Sequence, residues 1–434
     1  MRIITFNNSI IIELYNTVDW LRLPGQGSGG HGRYRYYLVK FAVMNGTRRT
    51  YQRKVIGELF KSAIFASVMK AVIAIDSFKG CLTSEEAGLA AASAFGAGEC
   101  EVVPVSDGGE GFSKIVTSGL GGETVSVSCH DPLGRIIKAA YGLAGEGSVA
   151  VIETAAAGGL GLLWRDELDP AAASSYGTGE LIADALGRGT REIWIGLGGS
   201  ATCDGGTGLL RALGYRFYSG DCEITDPNPV LCNITGIDSS HRNPLLDGCR
   251  FFGFYDVSVP FCGEGGSARV FAPQKGASPE LVEDLDKGMA RFASLAGGDI
   301  LDCPGAGAAG GIGGALHRFL GAEMRRGIYS VLDIFSLEEK LSGCGLVVTG
   351  EGRADFQTLG GKVPLGVLEY VKGRSAAKVV LLAGQVRDRD ALLAVGFDSV
   401  VQVTPEGMPL EEALRPEVAR ANIARAVSGL LSPR

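Results

Sequence analysis

An apolar run that breaks abruptly into glycines and mixed charges is the feature that most limits the fold of this 434-residue chain. Leu346-Val347-Val348-Thr349 suits a buried strand. It opens into Gly350-Glu351-Gly352-Arg353-Ala354-Asp355-Phe356-Gln357-Thr358, and then into Gly360-Gly361-Lys362. No core segment needs so many polar groups so close together. Open α/β sheets place their sites in such loops, at the carboxyl ends of strands. Three other stretches repeat the design. Lys70–Ile75 ends in Asp76-Ser77-Phe78-Lys79-Gly80, and Glu101–Ser106 ends in Asp107-Gly108-Gly109-Glu110-Gly111. Glu192–Leu197 ends in Gly198-Gly199-Ser200-Ala201-Thr202-Cys203-Asp204-Gly205-Gly206.

The pattern around these loops implies alternating strands and helices at both ends of the chain, hence a parallel sheet. Thr83-Ser84-Glu85-Glu86 is a capping box that starts a helix after Gly80. Further helices are expected near 279–296, 364–372 and 410–431, with strands at 378–382 and 399–403. Residues 122–153 alternate and turn repeatedly, which reads as antiparallel strands. The expected fold class is therefore α/β in two domains. One is a Rossmann-like parallel-sheet domain split between residues 69–118 and 300–434. The other is a mixed α/β domain inserted at 119–299.

Residues 1–68 differ from the rest. They carry ten Lys/Arg against three Asp/Glu, whereas the whole chain has a net charge of −7. The segment Gly25–Tyr37 shows no clear period, and Met69 is expected to be the natural start. Residues 1–68 are thus expected to lie outside the enzyme fold. The composition excludes several classes. No basic stripe interleaved with aromatics marks a nucleic-acid binder. Ten cysteines without a C-x-x-C pair and four scattered histidines argue against zinc or disulfide frameworks. With no 18-residue apolar run and no signal-peptide pattern, a cytoplasmic protein without membrane partners is expected.

Glycine accounts for 66 residues, about twice its usual share. In clusters it lets backbone N–H groups approach a ligand. The Walker A loop is absent: Val363 follows Gly361-Lys362, and Phe356 stands where its first glycine would be. Protein-kinase motifs are missing as well. Phosphoryl transfer needs cations, a metal, positioning and a base. Lys79, Lys275, Arg353 and Lys362 can neutralise phosphate. Asp76, Asp107, Asp204, Glu351 and Asp355 can hold Mg²⁺ or accept a proton. The Gly198–Ser200 and Gly350–Gly352 amides can cradle oxygens. Two alternatives stand beside this reading. Gly196-x-Gly198-x-x-Ala201, with Asp221 about 20 residues on, fits a dinucleotide fingerprint and a NAD(P)-linked oxidoreductase. A non-catalytic sugar-acid-sensing regulator is the other.

In order along the chain, seven motifs resemble the bacterial glycerate kinases of the type that makes 2-phosphoglycerate. They are Asp76–Gly80, Asp107–Gly111, Asp131-Pro132-Leu133-Gly134, Tyr176-Gly177-Thr178-Gly179-Glu180, Gly198–Gly206, Pro273-Gln274-Lys275-Gly276-Ala277 and Gly350–Lys362. The resemblance implies ATP and Mg²⁺ as cofactors, D-glycerate as acceptor, and a site between two α/β domains. It departs at Val259, where the family usually has Asn, at Cys203 and at Ile75. Following the resemblance, Asp204, Lys79 and Arg353 are expected to be catalytic, with Asp204 as base. Asp76, Ser77, Gly198, Gly199, Ser200, Thr202, Lys275, Gly350, Gly352, Gln357, Thr358 and Lys362 are expected to bind substrate or nucleotide. Asp107, Glu351 and Asp355 are expected to hold metal. A homodimer is left open.

Overall fold

The computed structural model describes residues 2–6, 9–13, 70–224, 231–256, 258–297, 299–356 and 358–432. Gln357, Met69 and the Gly25–Tyr37 stretch lie outside them. The chain divides into two units, residues 1–67 and 68–434. In the first, Arg2–Phe6 pairs antiparallel with Ser9–Glu13. All that follows concerns the second unit.

Strand β1 (Lys70–Ile75) is buried from Ala71 onward, as its unbroken apolar sequence requires of a strand covered on both faces. Helix α1 (Ser84–Ala92) follows, opened by the expected capping box. The Thr83 hydroxyl accepts from the Glu86 N–H, and the Glu86 carboxylate accepts from the Thr83 N–H. Strand β2 (Cys100–Val102) comes next, then helix α2 (Phe112–Gly119). Here the chain leaves for a second sheet. Strands β3 (Glu123–His130), β4 (Ile136–Ala144) and β5 (Val149–Glu153) form the expected antiparallel run. Helix α3 (Tyr176–Gly187), strand β6 (Glu192–Gly196), helix α4 (Thr207–Ala212) and strand β7 (Arg250–Tyr255) continue it. Helix α5 (Pro279–Ala296), helix α6 (Ile312–Leu320) and strand β8 (Glu323–Arg326) complete it. The order of this six-stranded sheet is β8-β7-β6-β5-β4-β3, and its four strands from β8 to β5 are parallel. It packs on one large core that includes Leu181, Ile193, Phe217, Phe261 and Phe292.

The chain then returns. Helix α7 (Gly327–Ile334) leads to strand β9 (Cys344–Ala354), helix α8 (Val363–Lys372), strand β10 (Lys378–Val386), strand β11 (Ser399–Gln402) and helix α9 (Pro416–Leu431). The five-stranded sheet has the order β11-β10-β9-β1-β2, and every pair in it is parallel. The expected fold class holds: a parallel sheet discontinuous in sequence, interrupted by a mixed sheet. Strand β8 belongs to the six-stranded sheet, so that sheet draws residues from beyond position 300, where the return was expected.

This strand order creates a crevice. The connection from β1 runs outward to β2, while β9 lies on the other side of β1 and continues outward to β10 and β11. Ligands of open α/β sheets bind where the order reverses in this way, at the carboxyl ends of the two central strands. In this chain those ends are Asp76 and Gly350–Asp355.

Candidate active site

At the crevice the two loops are tied together, with the Asp76 N–H donating to the Gly350 carbonyl at 2.9 Å. Gly350 has no room for a side chain, because a Cβ there would sit 2.4 Å from the Leu382 carbonyl of the next strand. Beyond Gly350, β9 runs on past the end of β1, still paired with β10, and carries Glu351 and Arg353 to the cavity. The cavity they face has a volume of about 690 Å³. Asp76, Ser77, Lys79, Asp107, Glu351, Gly352, Arg353 and Lys362 line it, so eight of the expected residues share one wall.

Their electrostatics are unbalanced. Burial pushes the Asp76 carboxyl well above the usual carboxylate range. The neighbouring Asp107 pushes it further, and Glu351 adds a smaller push. The Ser77 N–H, donating to Asp76 Oδ1 at 2.7 Å, and the Lys79 ammonium act the other way. Burial also raises Glu351, against the Thr358 hydroxyl and Lys362. The Thr358 hydroxyl donates to Glu351 Oε1 at 2.6 Å, and Lys362 Nζ stands 3.5 Å from Oε2. Arg353 is half exposed, and its Nε contacts Asp355 Oδ2 at 3.0 Å.

Several expected site residues have a different place. Thr358 and Asp355 are buried behind the wall. Thr358 fixes Glu351, and Asp355 anchors Arg353, which explains why neither reaches the cavity. Asp204 is also buried. Its carboxylate accepts from Ser175 N–H at 2.8 Å, Ser175 Oγ at 2.7 Å, Gly206 N–H at 3.0 Å and Gly208 N–H at 3.2 Å. It ties the start of α3 to the start of α4 and does not line the cavity. Lys275 is buried beside it and donates to Ser200 Oγ at 3.0 Å and the Thr202 carbonyl at 2.7 Å. Burial lowers its proton affinity. The Ser200–Asp204 segment is thus a hydrogen-bonded knot of the six-stranded sheet. Gly198 and Gly199 sit closer to the crevice. The Gly198 N–H donates to the Gly108 carbonyl at 3.1 Å, and a Cβ on Gly198 would lie 2.3 Å from the Gly109 Cα.

That contact also removes the basis of the dinucleotide reading. Gly196 and Gly198 pack against the Gly108–Gly109 backbone, leaving no gap for a pyrophosphate. Gly305-x-Gly307-x-x-Gly310, which has the same spacing, is equally filled, by Tyr255, Val259–Pro260 and Thr202.

The cavity also has walls that sequence reasoning missed. Asp256, just beyond β7, lines it, as do Gln385, Gln402 and the Thr404–Met408 loop with Leu410 and Leu414. Arg326, at the end of β8, donates to the Gly361 carbonyl at 3.1 Å, contacts Glu369 at 3.2 Å and lies over the Tyr329 ring. Asp256 ends an apolar run just as Asp76 does, so the same strand-to-acid signal was available for it. Arg326 carries no such signal.

Among the described residues no three His, Cys, Asp or Glu side chains close into a metal cage. Mg²⁺ rarely needs one, since it takes one or two carboxylates together with substrate phosphates and water. Asp76, Asp107 and Glu351, crowded enough to raise the Asp76 carboxyl, fit a divalent cation. Asp355, engaged by Arg353, fits it poorly.

Cations and carboxylates converging at the crossover of a parallel sheet suit an α/β enzyme that handles phosphorylated ligands. Comparison with known proteins narrows the class. Residues 71–432 match the glycerate kinase family. The chain is 40% identical over 368 residues to glycerate 2-kinase of Escherichia coli, covering 82% of this chain and 96% of that one. It is 39% identical over 355 residues to glycerate kinase of Bacillus subtilis, covering 80% and 93%. In solved structures it resembles a chain assigned as glycerate kinase 2 from Salmonella typhimurium LT2. The TM-score is 0.69 and the identity 39%, over 84% of this chain and 97% of that one. The chain belongs to the glycerate kinase family, and is therefore an enzyme, a kinase acting on a small molecule. Among the described residues no helix is long and apolar enough to cross a membrane.

Proposed function

We propose that this kinase transfers the γ-phosphoryl of ATP to the C2 hydroxyl of D-glycerate, giving 2-phospho-D-glycerate and ADP, with Mg²⁺. Family membership supports the acceptor, and the Escherichia coli relative carries the 2-kinase name. One observation carries the reading in this chain. The β1 and β9 loops bring Lys79, Arg353 and Lys362 into one cavity with Asp76, Asp107 and Glu351. Such transfer is mostly positioning and charge neutralisation, because the transition state spreads negative charge over the equatorial oxygens.

The residues divide the work as follows. Lys79 and Arg353 hold anionic groups, the glycerate carboxylate or the moving phosphoryl, with Arg353 oriented by Asp355. Lys362, at the start of α8, adds a third cation held near Glu351. Ser77, Gly350, Gly352 and Gln357 complete the phosphate side. Gly198 and Gly199 flank the Asp107 loop. One or two of Asp76, Asp107 and Glu351 would hold Mg²⁺, which would neutralise phosphate charge when bound. Met408, Leu410 and Leu414 offer an apolar surface for the nucleotide base. Ser200, Thr202, Lys275, Thr358 and Asp204 support this frame from behind, and the base role moves from Asp204 to a carboxylate of the cavity. The two sheets define the two domains, with the return to the parallel-sheet domain after Arg326 and residues 1–68 outside the enzyme fold. We keep the expectation of a cytoplasmic enzyme.

The test is incubation of the purified chain with D-glycerate, ATP and Mg²⁺, followed by phosphorus NMR. A 2-phosphoglycerate resonance with stoichiometric ADP is expected. 3-Phosphoglycerate would correct the position of attack, and absence of any phosphoglycerate would refute the reading.

A further inference from the structure

We infer that Gln385 reads the ribose of the nucleotide and so sets the preference of this kinase for a ribonucleotide over a deoxyribonucleotide. The inference rests on the kinase reading above and adds the order in which the parts of ATP lie across the sheet. Gln385 stands near the carboxyl end of β10 and lines the cavity of about 690 Å³. Register fixes its neighbours. Arg353 of β9 is its cross-strand partner. Two residues earlier, Glu351, Ala383 and Gln402 stand side by side on β9, β10 and β11. Successive side chains of a strand alternate between faces, so Glu351, Arg353, Ala383, Gln385 and Gln402 share one face of the sheet.

The strand order then lays out the cavity. Asp76 and Lys79 follow β1, and Glu351 and Arg353 end β9. One strand spacing further, about 4.8 Å, comes Gln385. A second spacing reaches β11 and the Thr404–Met408 loop. Leu410 and Leu414 come next, 72% and 41% exposed. They are four residues apart on a helical turn, which puts them on one side of it. The covalent order in ATP is phosphates, ribose, base. With the phosphates at β9 and the base on the leucines, the ribose lies over β10. The chemistry there suits it. A glutamine amide offers an acceptor oxygen and two donor hydrogens, and a ribose hydroxyl both donates and accepts. The two glutamines at this edge are not equivalent. Gln402 Oε1 accepts from the Val386 N–H at 3.1 Å, and its Nε2 donates to the Thr404 carbonyl at 3.1 Å, which fixes the loop. Among the described residues none is hydrogen-bonded to the Gln385 amide, so both its oxygen and its NH₂ are open to a ligand.

The experiment measures kcat and KM of wild type, Gln385→Ala and Gln385→Met with ATP, 2′-deoxy-ATP and GTP, at saturating D-glycerate and Mg²⁺, with Tm recorded for each. Methionine keeps the length of glutamine without its amide. One or two hydrogen bonds in a partly exposed setting are worth about 3- to 10-fold, so wild type should prefer ATP to 2′-deoxy-ATP by that factor. Both variants should bring this ratio to within about twofold of one, mainly by raising KM for ATP, with the ratio of ATP to GTP unchanged. Gln402→Ala, which releases the Thr404 loop, should raise KM for ATP and 2′-deoxy-ATP alike and keep their ratio. A merely structural role of Gln385 would lower Tm or weaken both nucleotides equally, and either result overturns the inference. So does a wild type that does not distinguish the two, or a pair of variants that changes the ratio of ATP to GTP instead. In each of these cases an active wild type upholds the kinase reading. A wild type inactive with ATP overturns both.

Discussion

The Asp204 carboxylate accepts a 2.7 Å hydrogen bond from the Ser175 hydroxyl, and the Ser175 hydroxyl in turn accepts from the N–H of Leu209 at 2.9 Å. This chain of bonds joins the start of α3 to α4 in a region that water does not reach. Asp204→Ala should therefore act on folding. Stranding buried donors costs roughly 1–3 kcal/mol apiece, so a loss on the order of 3 kcal/mol or more is expected in urea unfolding. The folded fraction of the milder Asp204→Asn should keep kcat within about tenfold of wild type. A loss of several orders in kcat at unchanged stability would return Asp204 to a catalytic role.

Asp76 should show the opposite profile. Its carboxyl titrates higher when folded than when unfolded. Such a group favours the folded state at pH below its unfolded pKa, and that contribution is lost as pH rises through the folded pKa. Without divalent cation, Asp76→Asn should match the wild-type Tm near pH 4 and exceed it increasingly toward pH 8. Added Mg²⁺ should narrow the gap by stabilising the wild type alone. Activity of the variant should fall about 10²-fold or more. Calorimetry across pH, with and without Mg²⁺, checks the sign.

Arg353 and Asp355 should behave as one unit. Arg353→Ala is expected to reduce kcat/KM by about 10²–10³-fold, the range for removing one electrostatic contact to a transition state. Asp355→Asn should cost less, mainly through KM, because the guanidinium remains but loses its 3.0 Å anchor. The double variant should resemble Arg353→Ala alone, since residues sharing one interaction are not additive. Fully additive losses would mean that Asp355 acts independently.

Arg326 tests the support of Lys362. Its guanidinium spans the Gly361 carbonyl, the Tyr329 hydroxyl and Glu369. Arg326→Ala should raise KM several fold and cost about 1–2 kcal/mol of stability. Arg326→Lys should recover little, because a point ammonium cannot serve three partners held by a planar fork. Steady-state kinetics with urea titration will show both.

Much of this architecture was legible because it is local. The β1 run, the Thr83–Glu86 capping box and the alternation of β3 to β5 follow from short-range periodicity. The Asp76 and Gly350 loops were legible because strands that end in charge are informative wherever they lie. The Gly198–Gly206 loop was less legible for a physical reason: glycines beside hydroxyls and an acid serve equally well to face a phosphate or to let two backbones touch. Lys275 was read as a phosphate-binding lysine, and only packing shows its ammonium buried on Ser200 Oγ. Arg326 and the Thr404–Leu414 wall acquire meaning from which strands lie side by side, which no single stretch encodes.

The neighbouring positions of β1 and β9 have a consequence for biogenesis. These central strands are far apart in the chain, with the whole six-stranded sheet between them in sequence. Closing so long an interval is entropically costly and slow compared with local pairing. A chain still emerging from the ribosome can complete the intervening sheet, with its Ser175–Asp204 knot, while β1 waits without its partner. The half of the crevice that carries Glu351 and Arg353 comes into being only when β9 has been made. The nascent protein thus lacks a complete crevice until its synthesis is well past β9. Separately expressed halves, cut after the intervening sheet, should regain activity only on mixing.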